Sequence, residues 1–229
     1  FISASVYVLY RYRINELLKR QAIRNKIAQD LHDNVGSTLS SISVYSQVAQ
    51  IQNEAGESQE LNDILGKISI TSTDMISEMN DIVWAINPRN DNMEKIVQRM
   101  ESFAKPLLAA KGIQFRFQYD VAILSTWLQM EKRKNFYLIF KEVINNIIKY
   151  SHATTVTVDI GIRNRKLELL VKDNGVGFDT VKAMADQRQS LSGNGLRNMK
   201  MRAAEMKGEI TIKSKPGEGT SVHLVSYIP

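Results

Sequence analysis

A carboxylate, an amide and an ammonium recur at helical spacing in KEVINNIIKYS (141–151). Glu142 and Asn146 are four residues apart and Lys149 is three further on, so on a helix all three share one side. Such a trio can hold Mg²⁺ and polyphosphate; standing alone it would serve as well as a solvated face with one salt bridge. Two glycine-rich segments follow. DNGVGF (173–178) comes directly after a strand-like run, and GNGL (193–196) opens a helix-like one. Glycine lets backbone approach a ligand closely, and a helix N-terminus presents free N–H groups to phosphate oxygens. Neither segment is a GxGxxG after a strand or a GxxxxGK[ST] loop, so a different kind of nucleotide site is required. Nearer the N-terminus, QDLHDNVGSTLSSIS (29–43) sets His32 at the flank of an apolar stripe, where an imidazole can reach solvent. Asp33 beside it can accept a proton and raise the nucleophilicity of the ring nitrogen. His32 is the convincing candidate among three histidines: His152 follows a helix end, His223 sits mid-strand, and no spacing suits zinc.

The elements that must carry these residues read as two kinds of architecture. From Ile14 to about Ile51 there is no proline and one glycine, Gly36. Apolar residues recur at Ile23, Ile27, Leu31, Val35, Leu39 and Ile42, which is one helical stripe. NEAGES (53–58) is a turn signal, and a second stripe runs through Leu61, Ile64, Ile68, Met75, Met79, Ile82 and Ile86. Two long amphipathic helices joined by a short turn form an antiparallel hairpin, and the exposed seam of one hairpin predicts dimerisation into a four-helix bundle. Pro88 with RNDN (89–92) is the strongest boundary in the chain.

Beyond it, Met93–Ala110 has a helical pattern that Pro106 is expected to kink or divide. GIQFRFQY (112–119) alternates as a strand, 131–151 is helical, and TVTVDIGI (155–162) and KLELLVKD (166–173) form a hairpin around Arg163–Arg165. A helix at about 195–207 precedes the strands EITIKS (209–214) and TSVHLVSYI (220–228). Helices on one face of a mixed sheet make an α/β sandwich.

Composition narrows the partners. With 43% hydrophobic and 24% charged residues, the 229-residue chain can bury a core, and zero cysteines exclude disulfides and thiolate chemistry. The net charge of +6 suggests an anionic partner. Its location is informative. Arg11, Arg13, Lys19, Arg20, Arg24 and Lys26 against Glu16 supply +5 of it, directly after the uncharged run FISASVYVLY. That order resembles the cytoplasmic end of a longer transmembrane helix, with the basic cluster fixing the cytoplasmic side. No Gly/aromatic interleaving or helix-turn-helix spacing accompanies the charge, so direct nucleic-acid binding is not expected.

ExxxNxxKY, DNGVGF and GNGL, with the closing GEGT (217–220), resemble the N, G1 and G2 boxes of the ATP-binding fold shared by histidine kinases, the Hsp90 and MutL ATPases and type II topoisomerases. The resemblance covers about 93–229. It implies that Asn146 coordinates Mg²⁺, with Glu142 as a second candidate or an organiser of the site, and that Lys149 and Tyr150 lie near the phosphates. It also implies that Asp173 accepts the adenine amino proton while Gly175 and Gly177 make room for the base. Gly193, Gly195 and the helix that continues with Leu196 would cradle the phosphates, Thr220 would complete the site, and 179–192 would be a lid.

The H-D-x-x-G-x-x-L-x-x-I pattern from His32 resembles the phosphoacceptor box of the histidine-kinase subfamily that includes nitrate and membrane-lipid sensors. Together the resemblances imply a sensor histidine kinase of two-component systems. Mg-ATP would phosphorylate His32 within a homodimer, with Asp33 as base. The phosphoryl group would then pass to an aspartate in the receiver domain of a response regulator. The expected organisation is 1–13 as transmembrane end and juxtamembrane segment, 14–88 as signalling helix and phosphotransfer hairpin, 89–92 as linker and 93–229 as ATP-binding domain, at the cytoplasmic side of the inner membrane. The alternative is an ATPase or pseudokinase scaffold of the same fold without phosphotransfer. One departure concerns Ser37, which stands where relatives with strong phosphatase activity often carry Gln; the shorter hydroxyl leaves phosphatase activity in doubt.

Overall fold

The computed structural model describes residues 2–55, 58–87, 90, 92–180 and 195–228. The chain divides into two compact units, Phe1–Ile86 and Asn87–Pro229.

The first unit is helical. Helix α1 spans Ile2–Ala55 and α2 spans Ser58–Ile86, and the two pack along one another. Val35, Ile42 and Tyr45 are partly covered and Ala49 is buried, whereas Leu39, Val44, Val48 and Ile51 remain exposed. On α2, Leu61, Ile64, Ile68, Met75 and Met79 are partly covered and Ile82 is buried, while Leu65, Ile70, Ile76 and Val83 are exposed. A single hairpin thus covers one stripe and leaves several large apolar residues exposed on both helices. The uncharged N-terminal run is the start of α1, and no helix among the described residues is long and apolar enough to cross a membrane.

The second unit begins with α3 (Met93–Ala110), whose Asn92 cap accepts a bond from Lys95 N at 3.0 Å. Its buried residues, Met93, Ile96, Val97, Met100, Ala104 and Leu108, follow the helical period. The helix runs through Pro106 undivided. Proline withholds one N–H, and the carbonyl that loses its donor belongs to the exposed Ser102, where water can replace it. Strand β1 (Gln114–Tyr119) leads through a 3₁₀ turn (Val121–Ser125) to α4 (Met130–Asn146), which continues as one π-helical turn (Ile147–Ser151). Then come β2 (Thr155–Arg163), β3 (Lys166–Asp173), α5 (Gly195–Glu205), β4 (Gly208–Ser214) and β5 (Thr220–Tyr227).

The sheet order is β1-β2-β3-β5-β4, with β1 parallel to β2 and every other pair antiparallel. The parallel pair needs a crossover, which α4 supplies. Asn164 and Arg165, both at positive φ, close the β2–β3 hairpin as a type I′ turn requires. One sheet face carries Val156, Val158, Ile160, Leu167, Leu169, Val171, Val222 and Leu224, all buried. Over it lie Phe136, Ile139, Phe140 and Val143 of α4 and Met199 and Ala203 of α5. Phe117 of β1 meets Phe140 edge-on at 6.4 Å between ring centroids. Each such residue, fully buried, contributes about 1.5–3 kcal/mol. The strand partners between these residues point to the other face, which stays open. The second unit is therefore an α/β sandwich.

Candidate functional site: a nucleotide cleft in the second unit

Two clusters of the expected residues form at neighbouring ends of one helical segment. The first is built on α4, where Glu142 and Asn146 are half-buried and Asn146 Nδ2 donates to Glu142 Oε1 over 3.4 Å. Above them lies Gly195, the first residue of α5. A Cβ on Gly195 would collide with Glu142 Oε1 and stand 3.7 Å from Asn146 Nδ2. Without a Cβ at 195 the start of α5 reaches this position with the Glu142 carboxylate undisplaced. The unpaired N–H groups of that first turn are thereby brought beside a carboxylate and an amide. Leu196 follows, half-buried.

The second cluster is built at the end of β3. Asp173 Oδ1 accepts from Gly175 N at 2.9 Å. Burial raises the carboxyl above its usual range, while backbone bonds from Gly175 and Thr220 pull it the other way. Gly175 is buried against the main chain of Ser151: Val176 N donates to Ser151 O at 2.7 Å, and a Cβ on Gly175 would strike that carbonyl. Gly177 turns the chain with φ +59°, pressed against the carbonyls of Lys215 and Gly219. Thr220 pairs with Asp173 across the β3–β5 ladder, and its Oγ1 lies 3.0 Å from Ser214 Oγ.

The π turn joins the clusters. It begins directly after Asn146 and ends at Ser151, the residue that anchors Gly175 and Val176. The Glu142–Asn146–Gly195 cluster and the Asp173–Gly177 cluster are thus linked through one turn of chain. Lys149 and Tyr150 lie in the π turn and are exposed. The turn departs from α spacing, so the three-residue step from Asn146 to Lys149 spans a smaller angle than in an uninterrupted α-helix. His32 and Asp33 lie on α1, and their side chains are outside those described, as are that of Ser37 and the whole of Gly193; of the expected lid, only 179 and 180 fall within the described residues. His223 Nε2 is 3.5 Å from Glu168 Oε2 on the open face, and His152 is an exposed residue at φ 51°.

Three residues with structural parts in the cleft escaped the sequence reading. Ser151 is buried; its Oγ donates to Ile147 O at 2.8 Å and accepts from Ala153 N at 3.0 Å, closing the π turn. Asn174 ties β3 to β2, its Oδ1 accepting from Thr154 N and Thr155 N at 3.0 and 2.8 Å. Ser214 Oγ accepts from Phe178 N and donates to Gly219 O, both at 2.9 Å. Each is a short polar residue at the end of an element, a common pattern that marks a turn and names no partner.

A family described as "Histidine kinase-, DNA gyrase B-, and HSP90-like ATPase" matches residues 131–228, and a family described as "Histidine kinase" matches 24–91. The chain belongs to the sensor histidine kinases, with a histidine-kinase segment followed by an ATP-binding domain. It is 25% identical to the sensor histidine kinase YhcY of Bacillus subtilis over 94% of this chain and 54% of that protein. To the histidine-protein kinase/phosphatase UhpB of Salmonella typhimurium it is 24% identical, over 89% of this chain and 39% of that one. The chain thus spans about half the length, or less, of the curated relatives it matches. Among solved structures, the Acinetobacter baumannii histidine kinase AdeS superposes with a TM-score of 0.57 at 14% identity, covering 82% of this chain and 96% of that one, a likeness of fold.

Proposed function

We propose that the chain binds Mg-ATP in the second unit and transfers its γ-phosphoryl group to His32, within a homodimer. The observation that carries this reading is the convergence of Gly195 on Glu142 and Asn146, five residues of π turn away from the Ser151 anchor of the Asp173–Gly177 segment. A cleft with helix N–H groups and hard oxygen donors at one end and a half-buried carboxylate at the other suits a nucleotide. Asp173 would accept the adenine amino hydrogen, and the first turn of α5 would bind phosphate oxygens. Glu142 and Asn146 offer a carboxylate and an amide oxygen, the donor chemistry Mg²⁺ accepts alongside phosphate and water. When bound, the ion would neutralise polyphosphate charge. Catalysis would then be largely positioning of the phosphoryl group against an imidazole that Asp33 relieves of its proton.

The exposed apolar residues Val44, Val48 and Ile51 on α1 and Leu65, Ile76 and Val83 on α2 support pairing of two hairpins into a four-helix bundle. By family, the phosphoryl group would go on to an aspartate of a response regulator. The uncharged run before Arg11 and the basic cluster after it support attachment to the cytoplasmic side of a membrane through the N-terminal helix. The test is incubation with γ-labelled ATP and Mg²⁺, comparing wild type with His32→Ala. Acid-labile label present in the wild type and absent from the variant supports the kinase. Nucleotide binding without label on His32 would favour an ATPase or a scaffold.

A further inference from the structure

The open face of the sheet sorts its charges by row. Strand register sets Arg116, Thr157, Lys172, Ser221 and Lys213 side by side, one from each strand, in a line from β1 to β4. They belong to the face without helices, because Val156, Val158, Val171 and Val222 beside them in sequence are the buried ones. Arg116, Lys172 and Lys213 are exposed, and among the described residues none of them is in an ion pair. Successive cations are two strands apart, about 9.6 Å at ~4.8 Å per strand, with a hydroxyl between each pair.

The acids of this face stand on other rows, and two of them are engaged. Arg163 lies 3.8 Å from Asp159 and 3.6 Å from Glu168, and His223 lies 3.5 Å from Glu168. A shallow depression lined by Arg116, Thr157, Asp159, Arg163, Leu170 and Lys172 opens over β1–β3. It is on the opposite side of the sheet from α4 and α5 and so lies outside the nucleotide cleft.

The geometry points to a docking surface for an acidic α-helix of a partner protein, laid across the strands along the cation row. Carboxylates seven residues apart on a helix are spaced by about 10.5 Å, close to the ~9.6 Å between the cations. Two observations select a protein over an anionic bilayer. The row itself alternates cations with hydroxyls and holds no apolar side chain. Asp159, Glu168 and Glu209 on the same face would repel a uniformly negative plane, whereas a helix can present carboxylates to one row alone.

The test uses the full chain and a labelled helical peptide with three Glu at seven-residue intervals in an otherwise neutral sequence. Its comparators are a peptide of equal composition with the three Glu adjacent, and vesicles containing one-third phosphatidylserine. The expected result is binding to the spaced peptide at least tenfold tighter than to the adjacent one. Lys172→Glu with Lys213→Glu should weaken it at least tenfold, and Lys111→Glu, away from this face, should not. Thermal unfolding shows whether the reversed variant folds; if it does not, Lys172→Gln with Lys213→Gln replaces it. Equal affinity for the two peptides, no binding of either, insensitivity to the row substitutions, or tighter binding to the vesicles would each overturn the proposal.

Discussion

Gly195 and Glu142 touch so closely that the place of a Cβ on the glycine is already taken by Glu142 Oε1. The contact joins the start of α5 to the C-terminal part of α4, where the proposed function places the phosphates. A methyl group at 195 must push the half-buried carboxylate, and with it the Asn146 amide that donates to it. Gly195→Ala should therefore weaken ATP binding about tenfold or more, ~1.4 kcal/mol, measured by titration with a fluorescent nucleotide. Combined with Glu142→Ala, the alanine at 195 should cost little further, since the two residues are in contact and their effects are not additive.

Asp173 gives a prediction with a definite pH sign. Its carboxyl is raised chiefly by burial, so ionising it costs more in the folded chain than in the unfolded one. That penalty is absent below the ordinary carboxylate range, grows as pH rises from that range through the raised value, and persists above it. Asp173→Asn removes it. The variant should melt at or above the wild-type temperature at pH 7–8, with a flatter stability profile between the ordinary carboxylate range and the raised value. It should also lose adenine-nucleotide affinity by about 10- to 100-fold, the worth of a hydrogen bond to a charged group. Melting curves and nucleotide titrations across pH 4–8 check both halves; a variant that melts lower and binds normally would contradict them.

Gly175 and Gly161 form a matched pair. A Cβ on Gly175 would strike the Ser151 carbonyl, whereas one on Gly161 meets nothing within 4 Å. Gly175→Ala should destabilise the chain by about 1–3 kcal/mol through forced backbone movement. Gly161→Ala should stay within about 0.5 kcal/mol. Denaturant midpoints of the two variants give the comparison.

Asn135 Nδ2 donates to Glu205 Oε2 at 2.9 Å, tying the first half of α4 to the last residue of α5. Asn135 is 1% exposed, so nothing but protein surrounds it. Asn135→Ala should cost about 1–3 kcal/mol in the same denaturant experiment, the range for a lost bond to a charged acceptor.

Much of this molecule is legible as sequence where a local rule decides the outcome. TVTVDIGI alternates strictly and lies in the strand Thr155–Arg163; the buried residues of α3 repeat at three and four; and the hairpin between β2 and β3 turns at Asn164–Arg165. Glu142, Asn146 and Gly195 come together, as do Asp173, Gly175, Gly177 and Thr220, because each motif sits near the end of an element and the fold gathers those ends. What stayed hidden depends on partners distant in sequence. The pairing of β1 with β2 is parallel and separated by α4, so no local pattern announces it. The π turn has no distinct periodicity, and it is the Ser151 hydroxyl bonding back to Ile147 that closes it. Of the two outcomes expected at Pro106, a kink or a division, division does not occur: a helix whose freed carbonyl faces water tolerates the proline.

The central claim is that this nucleotide cleft serves His32. The most direct measurement is site-resolved mass spectrometry, at neutral pH, of the chain after incubation with Mg-ATP, alongside Asn146→Ala. The account predicts one phosphoryl group, on the peptide containing His32, and its loss from the Asn146 variant. A phosphoryl group on another residue, or one on His32 that survives Asn146→Ala, would contradict it.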